Sequence, residues 1–227
     1  MATAIILVAT GEVGGHILNE TLKSAYYDKV YVLGRESIRR LPDHDKMKRI
    51  LIDFNHPIVD DVVLQDADVF FAIGTDDRKL FEKVDFGYDF QFAKICQGKI
   101  RSFNLVSAMG ANSQISYYKY LQVKGRLEDS LRSMSLGDVR FYHLSMLIAP
   151  DRENLPLGDA IWIKIFQVIS PVLVGPMSGW KGITPQNVAQ AMVKNAERRT
   201  KQTVYLHDDM VNSVHQKYDE KCYCVCH

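Results

Sequence analysis

A tyrosine and a lysine four residues apart, Tyr120 and Lys124, are the first candidates for chemistry in this chain. The pattern over residues 114–134 predicts a helix, in which residues four apart share one face, so the phenol and the ammonium can face the same cleft. An adjacent ammonium lowers the pKa of a phenol, which can then exchange a proton with a carbonyl or alcohol oxygen. Ser107 ends the preceding predicted strand. Its hydroxyl either donates a hydrogen bond to that oxygen or does no more than cap the strand.

The position of the tyrosine–lysine pair is more informative than its spacing. A chain with 11 tyrosines contains such a pair about once by chance. This pair lies on the helix that follows the fifth predicted strand, immediately downstream of Ser107, and that order favours a shared site.

A glycine-rich turn near the N-terminus is the second candidate site. The apolar run from Ala4 to Ala9 ends at a threonine, and Gly14 and Gly15 follow before a helical pattern begins. This order is typical of a dinucleotide-binding unit, because a turn with few Cβ atoms lets a pyrophosphate approach the helix N-terminus. The alternative is an ordinary tight turn without a ligand. The predicted cofactor contacts in this turn are Thr10, Gly11, Glu12, Val13 and Gly14.

One residue of the turn departs from the expected pattern. Val8 occupies the place of the first glycine in turns that read G-x-x-G-x-x-G. Valine is β-branched and disfavours a positive φ. Either the cofactor binds in an altered pose or its binding is weakened, and the sequence leaves both open.

The ends of the other predicted strands should hold the rest of the ligand, because ligands bind at the carboxyl ends of parallel strands. Arg35 suits the 2′-phosphate of NADP(H) if Glu36 points away, and the alternative is a surface arginine without a role. NADP(H) is therefore favoured, while NAD(H) stays possible. The other predicted contacts are Asp53 and Phe54 at the adenine, and Ile73, Gly74 and Thr75 where the cofactor passes strand four.

The alternation of strand and helix patterns predicts an α/β fold, a Rossmann-type doubly wound parallel sheet with helices on both faces. Residues 1–207 are expected to form a single domain, with substrate-side elements at about 145–183 and a flexible tail at 208–227. Strands are predicted at 4–9, 29–33, 49–54, 68–73, 101–107, 139–148 and 204–207. Helices are predicted at about 15–25, 57–66, 78–97, 114–134, 158–170 and 185–198.

Composition narrows the range of partners and locations. The 227 residues are 47% hydrophobic, enough for a substantial core, and the net charge of +1 gives no reason to expect a nucleic acid or an anionic membrane as partner. The N-terminal apolar run lacks the basic flank of a signal peptide, and the later apolar stretch 161–174 is interrupted by polar residues and proline. A cytoplasmic protein is therefore expected.

Cysteine is concentrated at the C-terminus. Cys96 is predicted to be a small core residue, whereas Cys222, Cys224 and Cys226 stand beside His227 in the last six residues. Alternating sulfurs could bind a soft metal, but an unpacked terminus is more often disordered. No metal site is predicted.

Five segments carry a resemblance to a known family: ATGEVGG, KVYVLGR, FNLVSAMGA, YLQVKG and APDRE. The chain resembles the atypical short-chain dehydrogenase/reductases, and within them the Tat-interacting-protein oxidoreductases, over nearly its whole length to about residue 207. The resemblance implies an NADP(H)-binding Rossmann fold with Ser107, Tyr120 and Lys124 as the reductase triad. Lys124 would also anchor the nicotinamide ribose, and Leu144 and Met146 are further expected cofactor contacts. The family also includes regulatory proteins that act through protein partners.

Besides Val8, two segments depart from the family pattern. Ala108 and Met109 stand where the family usually has a second serine and a lysine. His143, Leu144 and Ser145 replace an Arg-Pro-Gly turn after strand six. His143 is either a new acid or ligand, or a histidine whose ring is satisfied at a strand end.

These observations together predict an NADP(H)-dependent oxidoreductase that acts on a small apolar carbonyl or alcohol. The alternative is a regulatory module, with or without bound nucleotide, that acts through a protein partner. A monomer and a homodimer are both compatible with the sequence. The predicted substrate wall comprises Met146, Leu147, Ile161, Trp162 and Trp180.

Overall fold

The sheet of this protein is parallel throughout, and its strand order is β3-β2-β1-β4-β5-β6-β7 in a computed structural model that describes residues 2–75, 77–145 and 182–215. The strands are β1 (Ala2–Leu7), β2 (Tyr27–Gly34), β3 (Met47–Leu51), β4 (Ala67–Phe71), β5 (Ser102–Ala108), β6 (Asp138–Leu144) and β7 (Val204–Tyr205). The α-helices are α1 (Glu12–Lys23), α2 (Asp61–Leu64), α3 (Asp89–Cys96), α4 (Lys119–Arg132), α5 (Pro185–Glu197) and α6 (His207–His215). A 3₁₀-helix spans Glu36–Arg40, and a π-helix spans Glu82–Tyr88 and runs directly into α3.

The strand order reverses at β1, which pairs with β2 on one side and with β4 on the other. The connections on the two sides of β1 therefore run in opposite directions along the sheet. They leave a crevice at the carboxyl end of β1, which is where ligands bind in doubly wound sheets. The predicted Rossmann-type fold is confirmed.

Alternate residues of β1 pack on opposite faces of the sheet. Ala4 and Ile6 join the core formed with α1 and α5, whereas Ile5 and Leu7 join the core formed with α3 and α4. All four are fully buried, as expected for a strand covered on both faces.

Three helix predictions differ from the structure at their N-termini. The helix predicted over 57–66 from Pro57 is the short α2, because the carboxylate of Asp60 accepts a hydrogen bond from the amide of Val62 and starts the helix there. Helix α4 begins at Lys119 rather than 114, because the side chain of Asn112 accepts from the amide of Gln114 in a local turn. The helix predicted over 78–97 is a π-helix followed by α3.

The start of α5 is as predicted, and the first part of the predicted tail is helical. The hydroxyl of Thr184 accepts from the amide of Asn187, with proline in the first turn. Beyond β7 the chain forms α6, whose last carbonyls accept hydrogen bonds from Lys194 of α5 at 2.7 Å and from Arg198, which follows α5, at 3.1 Å. Cations stabilise a helix C-terminus, so α6 packs on α5 rather than fraying.

Several predictions lie outside the described residues. They are the helix at 158–170, the cofactor contact Met146, the substrate wall (Met146, Leu147, Ile161, Trp162 and Trp180) and the cysteine-rich end (Cys222, Cys224, Cys226 and His227). Over the described ranges, no helix has both the length and the apolar character needed to cross a membrane.

Two neighbouring glycines of the β1–α1 turn should respond differently to substitution. A Cβ at Gly14 would lie 2.1 Å from the carbonyl oxygen of Val8, whereas one at Gly15 would lie at an ordinary 3.4 Å from that of Ala9. We expect Gly14→Ala to lower the free energy of unfolding by about 3 kcal/mol through overpacking. Gly15→Ala is the control and should be neutral or stabilising, since alanine favours helices. Urea unfolding measures both, and an equal effect of the two substitutions would contradict the close packing.

Candidate functional site

A cavity of about 310 Å³ lies at the carboxyl ends of β1, β2 and β4, where the strand order reverses. Six predicted cofactor contacts line it: Thr10, Arg35, Phe54, Ile73, Gly74 and Thr75. Its other lining residues are Val8, Gly34, Ser37, Ile38, Leu80, Lys83, Val84 and Tyr88. The strand ends thus bring six of the fourteen predicted contacts into one concave site, which is the shape expected for a small-molecule ligand.

The glycine turn holds the backbone in the form a phosphate site requires. Helix α1 begins at Glu12, and its N-cap residue Gly11 has no side chain that could accept a hydrogen bond from the first backbone amides of the helix. These amides can therefore donate to a phosphate. Val8 has a φ of 62°, the left-handed region that the sequence analysis identified as unfavourable for valine. Its side chain lines the cavity, where glycine would leave space. The turn therefore keeps its shape with a strained, bulkier residue.

Two cations line the cavity. Arg35 follows β2, and Lys83 extends from the π-helix. The carboxylate of Glu36, a potential competitor for a phosphate, instead pairs with Arg39 at 2.6 Å. The hydroxyls of Thr10 and Ser37 lie 3.4 Å apart on the same wall. Cations and hydroxyls in this arrangement suit a phosphate group.

Asp53 and Phe54, both predicted at the adenine, have different surroundings. Phe54 is buried and packs on Tyr88, with ring centroids 5.3 Å apart in the cavity wall. Asp53 is exposed and does not line the cavity. Its carboxylate accepts hydrogen bonds from the amide of Asn55 at 2.9 Å and from the side chain of Asn55 at 2.8 Å, and these bonds lower its pKa.

Tyr120 and Lys124 lie on the same face of α4, as predicted, one helical turn apart. The ring of Tyr120 packs against Phe81, with centroids 5.2 Å apart. Lys124 is buried, and its ammonium lies 3.1 Å from the carboxylate of Asp85 and 3.4 Å from the carbonyl of Ile73. Burial by itself lowers the pKa of Lys124, but its acidic neighbours, Tyr120 and Asp85 among them, outweigh burial and raise it. The ammonium is therefore held charged inside the protein.

The hydroxyl of Ser107 already has an acceptor within the protein. It donates to the carboxylate of Glu128 at 2.5 Å, and a hydroxyl has one proton to give. The same carboxylate contacts His143 at 2.8 Å and Arg132 at 2.9 Å. Ser107 and His143 are register partners on β5 and β6, so one acidic residue of α4 ties together both strand ends. The ring of His143 is thus satisfied at the strand end by Glu128, which is one of the two alternatives that the sequence left open.

Sequence reasoning missed two buried carboxyl groups beneath Lys124, Asp85 of the π-helix and Asp89 of α3. Both are fully buried. Within the described part of the chain, neither oxygen of Asp89 has a hydrogen-bond partner, and burial raises its pKa well above the ordinary value. Two acidic residues four apart in a segment otherwise rich in apolar residues were the available signal. The position of Lys83 in the cavity wall was also missed, because nothing in the sequence distinguishes it from other exposed lysines.

The remaining predictions concern Leu144 and metals. Leu144 is half-buried at the end of β6, and its carbonyl accepts from the amide of Met109 at 2.9 Å. Among residues 2–75, 77–145 and 182–215, no three histidine, cysteine or acidic side chains are grouped to hold a metal ion.

Removal of the Glu128 carboxylate should destabilise the protein. Glu128→Ala leaves the hydroxyl of Ser107 and the ring of His143 buried without their acceptor, and we expect a loss of about 3 kcal/mol in the free energy of unfolding. Asp129→Ala, an exposed neighbour on the same helix, is the matched control and should change little. Chemical denaturation at neutral pH measures both. If both substitutions changed the free energy of unfolding by the same small amount, the hydrogen bonds of Glu128 would not contribute to stability.

The stability of Asp89→Asn should depend on pH. A carboxyl whose folded-state pKa is raised destabilises the fold once the pH passes its unfolded pKa, and the loss grows until the pH reaches the raised value. We therefore expect Asp89→Asn to unfold like the wild type near pH 4 and to become progressively more stable than it toward pH 7, as urea titrations at each pH would report. A difference that is constant with pH would mean that the pKa of Asp89 is the same in the folded and unfolded states.

Comparison with known proteins identifies relatives over most of the chain. The chain is 29% identical over 171 residues to protein HTATIP2 of Rattus norvegicus, covering 72% of this chain and 70% of that protein. It is 30% identical over 175 residues to protein FMP52-2 of the yeast Scheffersomyces stipitis, covering 72% and 74%. No protein-family model matches the chain.

Solved structures confirm the type of fold. The chain aligns with UDP-glucuronic acid 4-epimerase from Bacillus cereus, solved with UDP-glucuronic acid and NAD, at a TM-score of 0.62 and 15% identity over 89% of this chain and 76% of that one. The chain thus has the same Rossmann-type fold as this epimerase.

The expectation of a cytoplasmic protein is contradicted by the yeast relatives, which are named mitochondrial in several species. The resemblance drawn from the sequence is confirmed. At 30% identity over three quarters of a yeast FMP52 protein, the chain belongs to the family of the FMP52 and HTATIP2 proteins, a group of atypical short-chain dehydrogenase/reductases.

Proposed function

We propose that this protein is an NADP(H)-dependent oxidoreductase that acts on a small apolar carbonyl or alcohol. The observation that carries the proposal is the cavity at the strand-order reversal, where Arg35 and Lys83 provide two cations and Glu36 is turned to Arg39. A 2′-phosphate would fit these cations, because guanidinium and phosphate form two charge-assisted hydrogen bonds.

The rest of the dinucleotide would follow the edge of the sheet. Residues Thr10 to Gly14 would face the pyrophosphate at the N-terminus of α1, and Phe54 and Tyr88 would flank the adenine. Ile73, Gly74 and Thr75 line the passage past β4. Leu144 at the end of β6 would lie toward the nicotinamide. When bound, the nicotinamide would supply the hydride, which no amino-acid side chain can provide.

The chain's own contribution would be proton transfer and charge. Tyr120 would exchange a proton with the substrate oxygen, and Lys124 would provide the positive charge one helical turn away. Ser107 would have to release Glu128, to which its hydroxyl donates, before it could donate to the substrate oxygen. The names of the yeast relatives support a mitochondrial location for this activity.

One observation favours a second candidate, a regulatory module with weak nucleotide binding. Val8 adopts a φ of 62° and puts an isopropyl group into the wall of the cavity, where the family pattern has glycine. This side chain narrows the approach to the pyrophosphate, and a protein that has lost the cofactor would tolerate it.

Nucleotide preference tests the proposal. We expect NADPH to bind in the micromolar range, and Arg35→Ala to weaken NADPH about tenfold or more while changing NADH affinity less than about twofold, because NADH lacks the 2′-phosphate. Lys83→Ala should act in the same direction but less strongly, since a lysine pairs as a point charge. Calorimetric titration measures both affinities.

The control for this titration is Arg40→Ala, which removes a nearby exposed arginine that does not line the cavity. It should leave both affinities unchanged. If Arg35→Ala weakens NADPH and NADH equally, the 2′-phosphate is not at this end of the cavity. If neither nucleotide binds at millimolar concentration, the regulatory module replaces the enzyme.

A further inference from the structure

Lys124 forms a buried cluster with two aspartates, Asp85 and Asp89, which the proposed role of Lys124 as a source of positive charge does not by itself require. The side chains of Lys124 and Asp85 are 2% and 0% exposed, and their charged atoms lie 3.1 Å apart. A buried ammonium without a partner carries a desolvation penalty of several kcal/mol, so the carboxylate of Asp85 is what allows Lys124 to remain charged at this depth.

The two aspartates of the cluster are not equivalent. The carboxylate of Asp85 lies 3.1 Å from the ammonium of Lys124, whereas no ion pair joins Asp89 to a cation among the described residues. One ammonium neutralises one carboxylate, and a second ionised carboxylate would leave net charge buried. The cluster is therefore neutral with Asp85 ionised and Asp89 protonated, an assignment that agrees with the raised pKa of Asp89.

The ion pair lies directly beneath the wall of the cavity. The ammonium of Lys124 also donates to the carbonyl of Ile73, and a Cβ placed on Gly74 would lie 3.6 Å from the carboxylate of Asp85. Ile73 and Gly74 both line the cavity at the end of β4. The pair thus joins α4, the π-helix and the cavity-lining turn in one contact.

The π-helix is the backbone feature that accompanies this contact. Asp85 lies near the middle of Glu82–Tyr88, and the chain returns to α-helix at Asp89. A π-helix is wider than an α-helix and turns its residues to different directions, which is why such segments are frequent at functional sites.

We propose that Asp85 is a positioning residue that holds the Lys124 ammonium against the turn after β4, so that Lys124 can serve the nicotinamide side of the site. This inference deepens the proposed NADP(H) function and rests on it. Asp89 is as fully buried as Asp85 but has no part in positioning Lys124. Asp85 and Asp89 can be compared directly, because each can be replaced by asparagine, which has nearly the same shape and no charge.

The experiment is a calorimetric NADPH titration of wild type, Asp85→Asn, Asp85→Glu and Asp89→Asn. We expect Asp85→Asn to weaken NADPH at least tenfold, Asp85→Glu to restore part of the affinity, and Asp89→Asn to bind within about twofold of the wild type. Wild-type affinity in Asp85→Asn, or an equal loss in the two asparagine variants, would overturn the positioning role.

A second readout separates positioning from mere folding. The ¹⁵N signal of the Lys124 ammonium should stay that of a charged group up to high pH in the wild type and should titrate at lower pH in Asp85→Asn, while Asp89→Asn leaves it charged at neutral pH. The same titration profile in wild type and Asp85→Asn would refute the ion pair, even if Asp85→Asn folds poorly enough to obscure binding. If the wild type itself binds no NADPH, the proposed function fails first, and the ammonium signal still decides whether Asp85 holds Lys124.

Discussion

The close approach of Gly14 to the carbonyl of Val8 is the constraint on which the site depends. It leaves no room for a Cβ and sets the path of the chain from β1 into α1, so the helix N-terminus points at the strand-order reversal. Val8 adopts a left-handed conformation within this turn, which costs an L-residue about 1–2 kcal/mol. The fold tolerates this strain because packing on both sides of β1 determines where the turn must lie.

A single face of α4 carries the polar chemistry below the cavity. Tyr120, Lys124 and Glu128 follow one another at four-residue intervals, and each of the two charged groups is buried against a specific partner set. Lys124 is compensated by Asp85, and Glu128 by the donors from β5, β6 and Arg132. Burying these charges costs desolvation energy, which the contacts with their partners offset. Because the partners lie on the strands and on the π-helix, the contacts favour one orientation of α4 relative to the sheet.

The sequence was informative where local chemistry determines structure, and less so where tertiary packing does. The parallel sheet followed from buried strands that alternate with helices, and the cap at Thr184 followed from a hydroxyl before proline. The π-helix could not be predicted, because its spacing depends on packing against α4, and Asp85 was missed with it. The bond from Ser107 to Glu128 could not be predicted, because the two residues are 21 apart in sequence and lie on different elements.

The measurement that tests the account most directly is the binding of two adenosine fragments to the wild-type protein. Adenosine 2′,5′-bisphosphate carries the 2′-phosphate expected at Arg35 and Lys83, and 5′-AMP lacks it. Neither fragment reaches the nicotinamide side, so the comparison isolates the cavity. We expect the bisphosphate to bind at least tenfold more tightly than 5′-AMP, and we expect this ratio of affinities to fall as salt is added. Equal affinities, or no binding of either at millimolar concentration, would contradict this account.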